Sequence, residues 1–333
     1  MAETLTLKDV AKTAGVSVSA VSQAINGTGS LHEDTRERIL AVVAELGYTP
    51  NRYAASLRRR QTMSIGFVTT TGLSVETEKR WANFFSLQLN SLVSAAAEHG
   101  YTVTVIPDSR ADLVAIARVD ALYFPENYQD ATILAEAIKR GLVVVTNDTP
   151  LDYERSINVQ CGYEQATEIA LDALHAGGAT RIGLLTEEPG VAADELGELT
   201  YRAWCGEHGM EPVVEYIDYG RTNFAARLEE LLERGVDAIY SYAEEGPAIK
   251  AALSASGRSI PGEVQLVALC LDDCAENEQA GVSRVCVHPE LAPAQVINAL
   301  VALAETGGVD EREATLPVDC ATGTTTRAAL VSL

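Results

Sequence analysis

The amino-acid sequence predicts an α/β protein in which a small all-α unit precedes a body of two doubly wound subdomains, each built on a parallel sheet. Apolar residues follow helical spacing through roughly the first 60 residues. From Met63 onward, apolar and β-branched runs alternate with amphipathic stretches, the pattern of parallel strands covered on both faces. A chain of 333 residues is also too long for one compact core, which favours two or three folded units.

The first element is a helix-turn-helix unit. One helical face carries Leu7, Val10, Ala11 and Ala14, and Gly15 follows in a position to end that helix. Ser17 is a suitable N-cap for a second helix over 18–25, whose Val21 and Ile25 would pack against the first. In such a unit the second helix places its N-terminal residues against base edges in the major groove of DNA.

A third helix and a short basic segment complete the N-terminal unit. The helix is predicted over 33–46, is ended by Gly47, and has an apolar stripe of Ile39, Leu40, Val43 and Leu46. After the break at "TP", the segment "NRYAASLRRR" (51–60) again has helical spacing. Ten residues are too few for a stable isolated helix, so this linker is expected to fold on binding DNA.

The sequence of the body predicts two subdomains, each of alternating strands and helices. Predicted strands include "SIGFVTTT", "TVTVIPD", "ALYFP", "LVVVTND", "RIGLLTEE", "VVEYIDY", "AIYSYAE" and "VQLVALC". We predict a head over 1–50, a linker over 51–62, a first subdomain over 63–160 plus 287–333, and a second over 161–286. A ligand is expected between the subdomains, at the carboxyl ends of the strands.

Charge separates the two parts of the chain. The formal net charge is -22, yet residues 1–62 hold eight Lys/Arg and six Asp/Glu and are therefore +2, which leaves -24 for the rest. A polyanion such as DNA would be repelled by most of the molecule and accepted only at its N-terminal end.

Composition and motifs argue against a membrane protein, an exported protein, a metalloprotein and an enzyme. No apolar run reaches the roughly 20 residues of a membrane span, and no signal-peptide pattern is seen, so a cytoplasmic protein is expected. The six cysteines include no C-x-x-C pair, and the five histidines are isolated, so buried free thiols and no metal or cofactor are expected. Carboxylate pairs occur without a histidine base or nucleophile motif, which argues against an enzyme.

The stretch "LKDVAKTAGVSVSAVSQAIN", followed by "TRERILAVVAELGYTPNRYAASLRRRQT" and "SIGFV", closely resembles the lactose-repressor (LacI/GalR) family of bacterial transcription regulators. The match covers some 60 residues in one register and continues more loosely through the chain. The resemblance implies a periplasmic-binding-protein-like body and a repressor that reads a pseudo-palindromic operator as a homodimer. With no appended heptad helix after "ATLPVDCATGTTT", a dimer is expected and not a tetramer.

The resemblance also implies a DNA-contacting set, with Val18, Ser19 and Gln23 as the main base-reading positions. The family most often has arginine where this chain has Gln23; arginine pairs with guanine and glutamine with adenine, so a different operator base is expected. A surface glutamine bonding a phosphate remains the alternative. The full set is Leu7, Ser17, Val18, Ser19, Val21, Ser22, Gln23, Asn26, Thr35, Tyr48, Asn51, Arg52, Ala54, Leu57, Arg58, Arg59 and Arg60.

Within the linker, Leu57 matches the family's minor-groove leucine, a wedge that unstacks a base step and kinks the duplex. The three consecutive arginines that follow it would bind flanking phosphates. Alternatively, they complement the dipole at the end of the helix.

An effector site is implied between the subdomains at Thr70, Ser74, Phe84, Asn147, Glu195, Tyr219, Tyr242, Glu244 and Asp272. The family's pocket arginine falls on Glu195 here. Glu187, Glu188, Asp194 and Glu244 would add an acidic wall that disfavours anions. A neutral polyol, a nucleoside or a cationic amine is therefore expected. Two alternatives stay open: a pocket that binds nothing, and regulation by a protein partner. A transport-binding protein is disfavoured because no export signal accompanies the DNA-binding unit.

Overall fold

The computed structural model describes residues 5–26, 29, 31–48, 62–70, 75–126, 132–188, 192–271, 274–306 and 312–332. The chain divides into two compact units, Met1–Met63 and Ser64–Leu333, called the head and the body below. Within the described ranges, no helix has both the length and the apolar character that crossing a bilayer requires.

The described residues of the head form three helices: α1 (Leu7–Ala14), α2 (Val18–Asn26) and α3 (Glu33–Glu45). Before α1, the backbone N–H and the hydroxyl of Thr6 both donate to the Asp9 carboxylate, at 2.8 and 2.6 Å. Gly15 ends α1 with a left-handed φ of 64°. The hydroxyl oxygen of Ser17 then accepts the backbone N–H of Ala20 at 3.1 Å and caps α2. The predicted helix, turn and second helix are therefore confirmed.

Side chains from all three helices form the core of the head: Val10, Ala11, Ala14, Val21, Ala24, Ile39 and Tyr48. The prediction that Leu40 joins this core is wrong, because Leu40 is exposed. Val42 and Val43 pack against the core instead. Positions three and four residues from Ile39 share its helical face, whereas the next residue is turned about 100° away.

The first sheet of the body has six strands: β1 (Ser64–Thr69), β2 (Thr102–Pro107), β3 (Ala121–Phe124), β4 (Val143–Asn147), β5 (Ser156–Gln160) and β11 (Glu313–Thr315). Their order is β11-β5-β4-β3-β1-β2, and every pair is parallel. Four helices accompany this sheet: α4 (Val75–Glu98), α5 (Asp112–Ala117), α6 (Thr132–Lys139) and α12 (Ala292–Thr306).

The second sheet has the same construction, with β6 (Ile182–Glu187), β7 (Val213–Ile217), β8 (Ala238–Ser241), β9 (Gln265–Cys270), β10 (Ser283–Val287) and β12 (Val318–Ala321). The order is β12-β10-β9-β8-β6-β7, parallel except that β12 runs antiparallel to β10. Its helices are α7 (Tyr163–Ala176), α8 (Ala192–Glu207), α9 (Phe224–Glu233), α10 (Gly246–Ala255) and α11 (Ala275–Ala280). Two doubly wound sheets, as predicted, make up the body.

Three crossovers join the two sheets, at residues 161–162, 288–291 and 316–317. Gly162 has a φ of 89°, and a β-carbon there would lie 2.4 Å from Cγ2 of Val318. The backbone N–H of Leu316 donates to the carbonyl of Gln160 at 2.8 Å. Two of the crossovers therefore pack against each other, which requires the glycine.

The predicted boundary of the first subdomain needs correction. Residues 287–333 do not return to it as a whole, because Val287 ends β10 and β12 pairs with β10 in the second sheet. Beyond β12, Leu266 and Thr325 exchange hydrogen bonds, Leu266 N–H to the Thr325 carbonyl and the Thr325 hydroxyl to the Leu266 carbonyl. The C-terminal segment thus lies at the amino-terminal ends of β9 and β10 in the second sheet, and only the part from α12 to β11 belongs with the first.

Candidate functional site

The start of helix α2 presents the residues expected to read DNA. Val18 and Ser19 follow the Ser17 cap directly, and all three are exposed, Val18 to 39%. Val21 and Ala24 hold the opposite face of the helix in the core. A helix anchored on one face and open at its N-terminal end has the shape that enters a major groove.

Gln23 lies farther along the same helix and is half-buried. Its side chain rests against Gly29, where a β-carbon would lie 2.7 Å from the Gln23 Cδ atom. Leu7, Ser22 and Thr35 are also half-buried at the edges of the head core. Around them Lys8, Lys12 and Arg38 are exposed and can approach phosphate.

Two members of the expected DNA-contacting set are core residues. Val21 is 0% exposed and Tyr48 is 7% exposed, and both pack in the head core. The expectation that their side chains touch DNA is therefore wrong, since a contact would require the core to open. Their role is to hold α2 and α3 in place.

Part of the predicted set lies outside the described residues. For the DNA-contacting set these are Asn51, Arg52, Ala54, Leu57, Arg58, Arg59 and Arg60, together with the side chain of Asn26; for the effector set they are Ser74 and Asp272.

In the body, a narrow pocket lies at the carboxyl ends of the first-sheet strands. It is lined by Phe84, Pro125, Glu126, Asn147, Asp148, Cys161, Tyr163 and Ala193. The lining comes from both halves of the body, because Tyr163 begins α7 and Ala193 lies in α8. Phe84 and Asn147, which the family resemblance implied as effector-binding residues, both line this pocket.

Asn147 holds the pocket wall together. Its side-chain Oδ1 accepts the Tyr123 hydroxyl at 3.2 Å, and its Nδ2 donates to the Pro125 carbonyl at 3.1 Å. The Tyr123 hydroxyl also lies 2.9 Å from the Gln88 Oε1. Since both ends of the amide are engaged by the protein, Asn147 fixes the segment that carries Glu126 into the pocket.

Two carboxyl groups line the pocket, that of Glu126, which is buried, and that of Asp148, which is half-buried. Burial raises the pKa of Asp148 to about 6, although the backbone N–H of Cys161 donates to its Oδ1 at 2.8 Å and opposes the shift. Asp148 also has a positive φ of 49°, a conformation that Asp and Asn tolerate better than most residues. The pocket is therefore an acidic environment poised to bind positive charge or hydrogen-bond donors.

Tyr242 lies behind the pocket, on the side of the second sheet, where it contacts two residues of the pocket wall. Its hydroxyl donates to the Ala193 carbonyl at 2.6 Å, and its ring lies 6.2 Å from that of Tyr163. A β-carbon at Gly197 would lie 2.2 Å from the Tyr242 ring, so helix α8 approaches it closely. Tyr242 is thus a buried support for Ala193 and Tyr163, and the expectation that it contacts a ligand directly is not met in this conformation.

Arg221 is a cation at the carboxyl ends of the second-sheet strands that sequence reasoning missed. It pairs with Glu187 at the end of β6 and, at 2.5 Å, with the Oε1 of Glu245. It also donates to the Ala243 carbonyl at 3.2 Å. Glu187 therefore has a structural partner and contributes less to an acidic wall than the sequence suggested.

The remaining predicted effector residues are spread around the cleft. Thr70 follows β1 and is half-buried, Glu195 is exposed on α8, and Glu244 is half-buried with a φ of 64°. Tyr219 is half-buried, with its hydroxyl 3.5 Å from the Glu188 carbonyl. Burial, followed by the nearby charges of Asp194 and Glu187, raises its pKa.

Comparison with known proteins identifies a domain in each of the two units. Residues 6–51 match the model for bacterial regulatory proteins of the lacI family, and residues 171–326 match the periplasmic binding protein-like domain. The HTH-type transcriptional regulator CelR of Thermobifida fusca is 28% identical over 317 residues, covering 89% of this chain and 91% of CelR. The chain belongs to the LacI family of bacterial regulatory proteins.

Solved structures of this family share the fold. The lac repressor dimer bound to operator and the anti-inducer ONPF has a TM-score of 0.72 at 20% identity and covers 97% of this chain and 99% of its own. A CelR–cellobiose complex has a TM-score of 0.66 at 24% identity, covering 96% and 99%. These likenesses show the architecture of this LacI-family chain: a helix-turn-helix head and a periplasmic-binding-protein-like body.

This LacI-family chain is accordingly a DNA-binding transcriptional regulator, and its relatives are regulators rather than enzymes. The pocket residues that the family resemblance did not predict are Pro125, Glu126, Asp148, Cys161, Tyr163 and Ala193. Glu126 lies two residues after β3 and Asp148 directly follows β4, so the general rule that ligands bind at strand carboxyl ends was the signal that could have found them.

Proposed function

We propose that this regulator is a repressor that binds a pseudo-palindromic operator as a homodimer and is switched by a small polar ligand in the cleft of its body. The observation that carries the DNA-reading part is the start of α2, where Val18 and Ser19 are exposed while Val21 is fully buried. That arrangement commits one helix face to the core and leaves the N-terminal end for base edges.

The charge distribution supports the same proposal. Residues 1–62 are +2 within a chain of -22, so phosphate contacts are favoured only through the head. One such head offers few cations. Two heads on one two-fold axis would double the contacts and match the symmetry of a palindromic site. The lac repressor, whose fold this chain shares, is described as a dimer bound to operator.

The pocket supports a neutral or cationic effector. Glu126 brings a buried and Asp148 a half-buried carboxyl group to it, and Phe84 and Tyr163 bring aromatic rings. A bound phosphate or carboxylate would be repelled by that wall. Three related structures hold cellobiose, ONPG or ONPF, which are uncharged sugars or sugar derivatives, whereas a sugar-binding transcriptional regulator of Escherichia coli is complexed with phosphate.

A second candidate is a regulator that does not respond to a small molecule. The observation that favours it is the narrowness of the pocket, which in this conformation has no room for a water-sized sphere. A ligand could then enter only if the cleft opened.

Matched ligands distinguish these possibilities: a neutral disaccharide, the corresponding sugar phosphate and an amino sugar. Calorimetry on the full chain should show binding of the neutral or the amino sugar and weaker binding of the phosphate. Operator affinity, measured by fluorescence anisotropy, should change with the ligand that binds. Glu126→Gln should reduce the discrimination against phosphate, and Glu195→Gln, at an exposed site on α8, should not. Tightest binding of the phosphate would contradict the effector class, and operator affinity unaffected by every ligand would favour the second candidate.

A further inference from the structure

Three cysteines that are separate in the sequence meet inside the second-sheet half of the body. Cys270 ends β9, Cys286 is its cross-strand partner in β10, and Cys274 immediately precedes α11. Their Sγ atoms all lie within 4.8 Å of one another, and each residue is at most 7% exposed. The spacing C-x3-C-x11-C matches no familiar metal motif, because the sheet rather than a short loop brings the residues together.

The distances suit one metal ion held by all three sulfurs. At the metal–sulfur distance of about 2.3 Å seen for thiolate sites, three sulfurs around a trigonal ion lie about 4 Å apart. The three Sγ atoms lie within 4.8 Å of one another, which is compatible with this spacing. The Sγ atoms of Cys274 and Cys286, which are 2.7 Å apart, would separate by about 1 Å on binding.

The softness of the ligands favours one ion. The cluster that the described residues form consists of three cysteine sulfurs. Structural zinc takes four protein ligands, and iron–sulfur clusters take four cysteines. A soft, monovalent d10 ion accepts thiolates readily and does not need a fourth ligand.

The surroundings can support such a site. The side-chain Nδ2 of Asn277 donates to the Cys270 Sγ at 3.1 Å, the kind of outer hydrogen bond that stabilises a ligating sulfur. Arg284 lies two residues before Cys286 in β10 and so shares its face of the sheet. Its side chain is mostly buried, its Nη2 donates to the Oε2 of Glu278 at 3.2 Å, and within the described part of the chain its Nε has no hydrogen-bond partner. This positive charge, shared with the exposed Glu278, would offset part of the negative charge of three thiolates.

We propose that Cys270, Cys274 and Cys286 form a three-thiolate site for Cu(I). Up to three thiol protons pass to solvent as three copper–sulfur bonds form, and no electron is transferred. The site does not depend on the proposed operator or effector. Because Cys270 and Cys274 enclose residues 271–273, a bound ion would tie both ends of that segment to β10.

The test is Cu(I) binding to the full chain, purified and titrated without oxygen and in competition with the chromophoric chelator bathocuproine disulfonate. We expect one Cu(I) per chain and at least a 100-fold loss of affinity in Cys274→Ser and in Cys286→Ser. The controls Cys205→Ser and Cys320→Ser, at cysteines outside the cluster, should keep full affinity. Circular dichroism establishes that each variant is folded.

X-ray absorption on the copper-loaded wild-type protein provides a readout that needs no variant. Three sulfur neighbours and no nitrogen or oxygen neighbour are expected. Four outcomes would overturn the proposal: no Cu(I) uptake, equal uptake after loss of Cys274 or Cys286, Zn(II) bound at these cysteines that Cu(I) does not displace, or a Cys274–Cys286 disulfide in protein kept under reductant.

Discussion

Asp148 carries a carboxyl group that the fold holds away from water at the edge of the pocket. Because its pKa is raised to about 6 in the folded chain, the folded state binds its proton more tightly than the unfolded state does. The stabilising effect is fully present below about pH 4 and is lost as the pH rises through 6. The shift corresponds to about 3 kcal/mol of unfolding free energy.

Asp148→Asn should remove this pH dependence. Asparagine tolerates the positive φ and can still accept the Cys161 N–H. Relative to wild type, the variant should gain up to about 3 kcal/mol of unfolding free energy between pH 4 and pH 7. Urea denaturation at the two pH values measures this, with the exposed Asp152→Asn as the matched control. An equal difference at both pH values would contradict the account.

Gln23 tests base reading by a single side chain. Gln23→Arg should shift preference from adenine toward guanine at one symmetric operator position, with discrimination of about 1–3 kcal/mol. Binding-site selection from random DNA measures the change. Lys12→Gln, an exposed change of charge on α1, controls for altered phosphate attraction. If Gln23 only bonds a phosphate, selection will return the same base before and after the substitution.

Some pocket residues were predictable individually and others were not. The family resemblance implied Phe84 and Asn147. The side-chain amide of Asn147, however, is hydrogen-bonded to Tyr123 and to the carbonyl of Pro125. The acidic character was also predicted, although on partly different residues. Glu187 is paired with Arg221, while Glu126 and Asp148 carry the acidity of the pocket. Pairing of this kind depends on which loops converge in space, and linear spacing does not reveal it.

At the level of elements, the crossovers between the two sheets pack closely at Gly162. Gly162→Ala would set a β-carbon 2.4 Å from Val318 Cγ2 at a φ of 89°. Gly178 also has a positive φ, 82°, but has open space around it. Gly162→Ala should therefore lower the unfolding free energy by about 1–3 kcal/mol more than Gly178→Ala does. Equal losses in chemical denaturation would show that the crossovers do not press on this glycine.

The linker provides the second test of an element. Leu57→Ala should weaken specific operator binding at least about tenfold, because a minor-groove wedge is removed, and should leave binding to random DNA unchanged. Anisotropy titrations on both DNAs measure the two affinities. Leu40→Ala, which truncates an exposed leucine on α3, is the control and should alter neither. An equal loss on random DNA would argue against the wedge.

Most elements followed from periodicity, and the exceptions have physical reasons. The Ser17 cap and Gly15 turn were predicted because capping depends on neighbouring residues. The short strand β12 was assigned to the wrong subdomain, because four residues at a sheet edge carry little pattern and their partner β10 is distant in sequence. For Val21, two predictions from the sequence disagreed. Helical spacing predicted a core residue, whereas the family resemblance implied contact with DNA. Its complete burial agrees with the prediction from helical spacing.

For the whole molecule, the proposed function combines charge asymmetry with two-fold assembly to account for DNA binding by so acidic a chain. The head, with a net charge of +2, would supply the attraction to DNA, and the remaining residues, with a net charge of -24, would repel it. In the proposed dimer, two weakly cationic heads would act together. Sedimentation of the full chain with a duplex operator should therefore give two chains per DNA.

The most direct measurement is the affinity of the full chain for its selected operator and for a scrambled duplex of the same length, at about 0.15 M salt. The account predicts a preference of about 10³ or more for the operator, with both affinities falling as salt rises. Equal affinities for the two duplexes, with and without the ligands tested on the body, would contradict it.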